Sequence, residues 1–123
     1  MIEEKKFLSS IFAGFFFFYL IFCQGVRTGD CLLTYTVCKN LITRGTTTTD
    51  WGIPEMTFKG IDGRNYSKFG IGMSLIAIPF YYAGDFFSRF CKGETAKEVM
   101  RHWFCSLLSI FSAALTVVVA YLI

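Results

Sequence analysis

Three long apolar blocks constrain the fold of this chain more than any other feature. Residues 7–23 and 103–123 carry no charge, and a third uncharged block runs from residue 69 to residue 84. At about 1.5 Å per residue, each block extends roughly 25–30 Å, which is the thickness of a hydrocarbon core. Soluble domains carry about 25% charged residues, whereas this chain has 17%. The sequence therefore predicts an all-α membrane protein with three transmembrane helices, at about 7–23, 69–87 and 103–123.

The first block has a second interpretation, a cleaved signal peptide. Its head, residues 1–6, holds two glutamates beside two lysines and is therefore not clearly positive. No pair of small residues at cleavage spacing follows the block. A retained membrane anchor is the better interpretation.

The distribution of lysine and arginine predicts the orientation. Residues 1–6 and 88–102 together hold six of these cations in 21 residues, whereas residues 24–68 hold six in 45. Lys and Arg near helix ends favour the cytoplasmic side. The density predicts a multi-pass protein of the plasma membrane with a cytoplasmic N-terminus, an external loop 24–68 and a cytoplasmic link 88–102, all in one membrane domain, 1–123.

The external loop has its own local signals. Apolar residues recur at helical spacing from Cys31 to Ile42, which predicts an amphipathic helix lying on the membrane surface. Asp30 is placed to act as its N-cap, and Gly45 as the residue that ends it. Further on, Asp62-Gly63 predicts the turn of a short hairpin between residues 56–59 and 64–67.

Two opposite charges flank the predicted external loop. Asp30 follows the first apolar block and Lys68 precedes the second. Asp30 is either a helix cap alone or a carboxylate that takes a proton from an attacking hydroxyl. Lys68 is either an interfacial anchor, with its ammonium at the headgroups, or a phosphate ligand that Arg64 could assist.

The motifs at these two places carry a resemblance. Arg27-Thr-Gly-Asp30 follows the first block, and Asp62-Gly-Arg-Asn-Tyr-Ser-Lys-Phe-Gly70 leads into a second block that contains Pro79. Over about residues 7–84 the chain resembles the C-type membrane glycosyltransferases, which include protein O-mannosyltransferases and the aminoarabinose transferase. The resemblance implies transfer of a sugar, with inversion, from a polyprenyl-phosphate carrier to an acceptor at the outer face.

The resemblance also implies roles for individual residues. Asp30 matches the aspartate that acts as base or orients the acceptor, and Lys68 matches a lysine that contacts the carrier phosphate. Arg64 and Tyr66 are assigned to the same substrate site. Enzymes of this family have many more membrane helices, and the apolar block ending at Ile123 has no polar flank. We therefore expect an N-terminal fragment that is inactive alone. A small non-catalytic three-helix membrane protein, or an assembly subunit, is the alternative.

Composition limits the cofactors and partners. The chain has five cysteines and a single histidine, His102, without a Cys-x-x-Cys motif, so a zinc site is not expected and no residue pattern supports a divalent cation. The net charge of +3 comes from dispersed residues, which argues against nucleic acid. The expected partners are the lipid bilayer, a polyprenyl-phosphate sugar and other membrane helices.

Overall fold

The structure is a computed structural model that describes residues 2–22, 29–50 and 54–123. This part of the chain is predominantly helical, as predicted, and adds one small sheet. The helices are α1 (Ile2–Phe22), α2 (Gly29–Arg44), α3 (Gly72–Ser88) and α4 (Glu94–Leu122), and the strands are β1 (Thr48–Thr49), β2 (Thr57–Lys59) and β3 (Asn65–Ser67).

The chain divides into two compact units. The first combines Met1–Gly25 with Leu107–Ile123, and the second is Val26–Ser106. Helix α4 contributes to both, since residues 94–106 belong to the second unit and residues 107–122 to the first.

The first unit is an antiparallel pair of helices. The rings of Phe7 and Tyr121 lie 5.6 Å apart, and those of Phe12 and Phe111 lie 5.4 Å apart. Because the partner number falls as the number in α1 rises, the two helices run in opposite directions. Ala114 of α4 is completely buried in this unit.

Among the described residues, two helices are long and apolar enough to cross a membrane. They are α1, over Lys5–Phe22, and α4, over Glu94–Leu122. The third predicted span, at about 69–87, is not shown. Residues 69–71 precede α3, which leaves a helix of 17 residues, about 25 Å long.

Helix α2 differs from the sequence expectation at its start and agrees at its end. The helix begins at Gly29, so Asp30 lies inside the first turn rather than at the N-cap. A carboxylate there still stabilises the helix, because it faces the unpaired amides of that end. Gly45 has a φ of +65°, and its amide donates to the Leu41 carbonyl over 3.2 Å. The predicted role of Gly45 is confirmed.

Helix α2 is a core helix of the second unit, and the prediction of an amphipathic helix on the lipid surface is wrong. The consecutive residues 35–38 are all buried, and they point in different directions around the helix. Helix α2 packs against α3 and β1. No broad face of this helix is left for lipid.

The predicted hairpin is confirmed. Strands β2 and β3 are antiparallel with Phe58 opposite Tyr66, and β1 pairs with the other edge of β3. The Gly60 amide donates to the Arg64 carbonyl over 2.8 Å, which closes the turn. Gly63 has a φ of +77°, a conformation that glycine adopts without strain.

One ion pair changes the predicted membrane arrangement. The Lys39 ammonium of α2 contacts the Glu98 carboxylate of α4. A bilayer cannot lie between two groups in direct contact, so an external loop 24–68 and a cytoplasmic link 88–102 do not fit the structure. The comparison of Lys and Arg densities assumed that separation, and it therefore no longer decides the orientation.

Candidate functional site: the Lys68 loop and the start of α2

Lys68 is held in place by backbone carbonyls. Its ammonium donates to the carbonyl oxygens of Pro54, over 2.8 Å, and Glu55, over 3.2 Å. Its own amide donates to the Met56 carbonyl over 2.9 Å. An ammonium has three N–H donors, so one remains for a ligand, and the side chain is exposed. The arrangement is a fixed cation with one free donor.

Met56 connects Lys68 with the start of α2. A Cβ atom placed on Gly29 would lie 2.6 Å from the Met56 sulfur, so Met56 packs directly on the residue before Asp30. Asp30 is exposed and has no hydrogen-bond or ion-pair partner within the described residues. Gly29, the residue before Asp30, and the backbone amide of Lys68 thus both contact Met56. That the side chains of Asp30 and Lys68 face one site stays a prediction. Arg27 and Thr28 of the motif lie outside the described residues.

Arg64 and Tyr66 are engaged with Asp62 instead. The Tyr66 hydroxyl donates to the Asp62 carboxylate over 2.8 Å, and the Arg64 guanidinium lies 3.7 Å from it. The Arg64 amide donates to the same carboxylate over 3.1 Å. These contacts tie both residues to the hairpin turn, which is a structural role that the sequence did not predict for them.

The Asp62 carboxyl gives the hairpin a pH dependence. Hydrogen bonds from the Tyr66 hydroxyl and the Arg64 amide lower the pKa of Asp62. The stabilisation is therefore present above the unfolded value of about 3.9 and is lost as the pH falls through the folded pKa. We expect Tyr66→Phe to raise the pKa of Asp62, measured by NMR titration of its carboxyl carbon. Tyr82→Phe, which is remote from Asp62 in the sequence and in α3, is the control. An unchanged Asp62 titration in Tyr66→Phe would contradict the assignment.

An open pocket of about 390 Å³ lies beside the carbonyl that holds Lys68. Its lining residues are Pro54, Thr57, Phe58, Lys59 and Asn65. Lys59 and Asn65 are cross-strand partners in the sheet. Ligand pockets have volumes of about 300–1,000 Å³, and this open pocket lies at the lower end of that range. No motif in the sequence pointed to Lys59 and Asn65, although strand alternation places Lys59 on the same face as Thr57.

A second polar cluster joins the three helices of the second unit. Arg101 donates from Nε to Asp85 over 2.8 Å and from a terminal nitrogen to Glu98 at 3.3 Å, and Glu98 also contacts Lys39. Arg89, four residues after Asp85, lies 4.0 Å from the same carboxylate. The cluster therefore fastens α2 and α3 to the first turns of α4.

Tyr35 extends this cluster into the core. Its ring lies 4.5 Å from the His102 ring and 6.0 Å from the Tyr81 ring, measured between centroids. Burial, and after it the Glu98 carboxylate, raises the pKa of Tyr35. Tyr35 is therefore neutral at physiological pH, and its surroundings are those of a packing residue.

Neither a metal centre among the described residues nor a comparison with known proteins adds to this site. Within the described residues, no group of three or more His, Cys, Asp or Glu side chains could hold a metal ion. Comparison of the chain with protein-family models, curated proteins and solved structures found no match. The described residues define the chain as a predominantly helical protein with two candidate membrane helices and a loop that holds the exposed ammonium of Lys68.

Proposed function

We propose that residues 26–106 form the carrier-binding part of an integral-membrane glycosyltransferase. It would move a sugar from a polyprenyl-phosphate carrier to an acceptor at the outer face of the cell membrane. The observation that supports the proposal most is the Lys68 ammonium, which two carbonyls hold with one donor left over. The family resemblance of residues 7–84 supplies the substrate class.

In this proposal the two antiparallel candidate spans set the topology. Helix α1 crosses from the cytoplasm, and residues 107–122 of α4 return to it. The N-terminus is then cytoplasmic and residues 26–106 are outside. The Lys39–Glu98 contact supports a common side for 24–68 and 88–102.

The proposed chemistry assigns one task to each group. The free N–H of Lys68 binds an oxygen of the carrier phosphate, and the pocket lined by Lys59 and Asn65 takes the sugar. An acceptor hydroxyl, oriented by Asp30, attacks the anomeric carbon from the face opposite the phosphate. The new C–O bond forms as the bond to the phosphate breaks, and Asp30 accepts the hydroxyl proton. The lipid phosphate leaves with its negative charge beside Lys68.

The chain alone is proposed to bind the carrier without turning it over. Both Asp30 and the pocket are open to solvent, whereas glycosyl transfer needs a site from which water is excluded. Further membrane helices would have to enclose the substrates. Arg64 and Tyr66 would act on the carrier only indirectly, by holding the turn that precedes Lys68.

Lys68→Ala tests the proposal through carrier binding. We expect the purified chain in nanodiscs to bind undecaprenyl phosphate and the variant to bind it at least about tenfold more weakly. A charge-assisted hydrogen bond contributes about 1.5–3 kcal/mol, and about 1.4 kcal/mol is a factor of ten in affinity. Native mass spectrometry or a filter assay with labelled lipid measures the affinity. Lys92→Ala, which removes an exposed lysine elsewhere in the same unit, is the control.

Asp30→Asn separates the carrier site from the acceptor site. Asp30 acts on the acceptor in this proposal, so the variant should bind undecaprenyl phosphate as the wild type does. Equal binding by Lys68→Ala and Lys92→Ala would refute the carrier site. No binding by any form would favour the non-catalytic membrane subunit.

A further inference from the structure

Helix α3 buries small residues and one tyrosine, and it exposes most of its large apolar side chains. The buried residues are Ser74, Ala77, Tyr81, Gly84 and Ser88. The outward ones, here called the outer face of α3, are 46–57% exposed and comprise Met73, Leu75, Ile76, Tyr82, Phe86 and Phe87. Soluble monomers rarely expose apolar patches larger than a few hundred Å². Lipid or another protein surface must therefore shield the outer face of α3 from water.

No charged residue interrupts the outer face of α3. Asp85 is the one charged residue between Gly72 and Ser88, and its carboxylate is turned inward to Arg101, 2.8 Å away. Cations stand at both ends of the helix instead. Lys68 precedes it, and Arg89 follows it with 73% of its side chain exposed.

We infer that α3 lies in the plane of the bilayer surface, with its outer face among the acyl chains and its end cations at the lipid phosphates. The flanking candidate spans, α1 and residues 107–122, keep residues 26–106 at a membrane through chain continuity. A helix in the plane brings both end cations to the headgroups of one side, whereas a crossing helix would separate them.

The antiparallel pairing of α1 with residues 107–122 favours the in-plane arrangement over a crossing. If these two helices cross the bilayer in opposite directions, the residues between them begin and end on the same side. A single crossing by α3 would instead leave the two ends of that segment on opposite sides. The inference rests on membrane association and not on the proposed glycosyl transfer.

Site-directed spin labelling in liposomes tests the cover of the outer face. Cys23, Cys31 and Cys91 are changed to serine, which leaves the buried Cys38 and Cys105 as slow background thiols. A label at Ile76→Cys should collide with dissolved oxygen and be shielded from a water-soluble nickel chelate. A label at Lys59→Cys, on the exposed strand β2, should show the opposite behaviour.

Labelling from each side tests the position of the two helix ends. Gly70→Cys and the native Cys91 should both react with an impermeant maleimide added to the same side. Reaction from opposite sides would show that α3 crosses the bilayer, and nickel access at Ile76→Cys would place the face in water. Concentration-dependent dipolar broadening at Ile76→Cys would assign the face to a second copy of the chain. Any of these three results overturns the inference.

Discussion

Gly84→Ala is expected to destabilise the second unit by about 2–3 kcal/mol, the cost of overpacking a tight contact. The added Cβ atom would lie 2.8 Å from Arg101 Cα and 2.9 Å from Phe104 Cβ. The first of these atoms is backbone and cannot move aside by changing rotamer. Relief of the clash therefore requires α3 to shift away from α4, which loosens the helix crossing.

Thermal and denaturant unfolding in detergent, followed by circular dichroism, measures the effect. Gly72→Ala is the matched control in the same helix, since no atom lies within 4 Å of its added Cβ. That control should be neutral or gain up to about 1 kcal/mol from helix propensity. Equal stability of the two variants would show that the crossing at Gly84 is not tight.

Arg101→Ala is expected to cost about 2 kcal/mol of unfolding free energy. The substitution leaves Asp85 and Glu98 without their shared cation, and removing one partner of a partly buried pair exposes the other to uncompensated desolvation. The Arg101 side chain is 21% exposed and bonds both carboxylates, so solvent screens it only in part. The same unfolding measurement applies.

Arg89→Ala is the matched control for the Arg101 prediction. It removes another arginine beside Asp85, but one that is 73% exposed and 4.0 Å away. Exposed pairs contribute about 0–1 kcal/mol, so this variant should remain close to wild type. If Arg89→Ala lost as much unfolding free energy as Arg101→Ala, the stabilisation would come from net charge in general and not from the contacts of the cluster.

The sequence by itself determined the features that depend on a few neighbouring residues. Gly45 ends α2, and Asp62-Gly63 turns the hairpin, because glycine alone adopts positive φ without strain. The helical conformation of the apolar blocks likewise depends on local sequence, that is, on their length and composition. The sequence placed Asp30 at the N-cap, whereas it lies within the first turn of α2. Helix ends are uncertain by one or two residues because several neighbouring residues can act as the cap.

Only the tertiary structure decided which helices meet and what they cover. Hydrophobicity predicted a membrane span at 69–87 and a surface helix near 31–44. Hydrophobicity measures how apolar a segment is, but it does not tell whether lipid or another part of the protein packs against that segment. The contact of Lys39 with Glu98 joins residues 59 positions apart, a separation that no local pattern encodes. The same holds for the pocket at Lys59 and Asn65, which exists because β3 pairs with β2. Hydrophobic burial is non-directional, and the partners of each helix therefore emerge only when the whole unit packs.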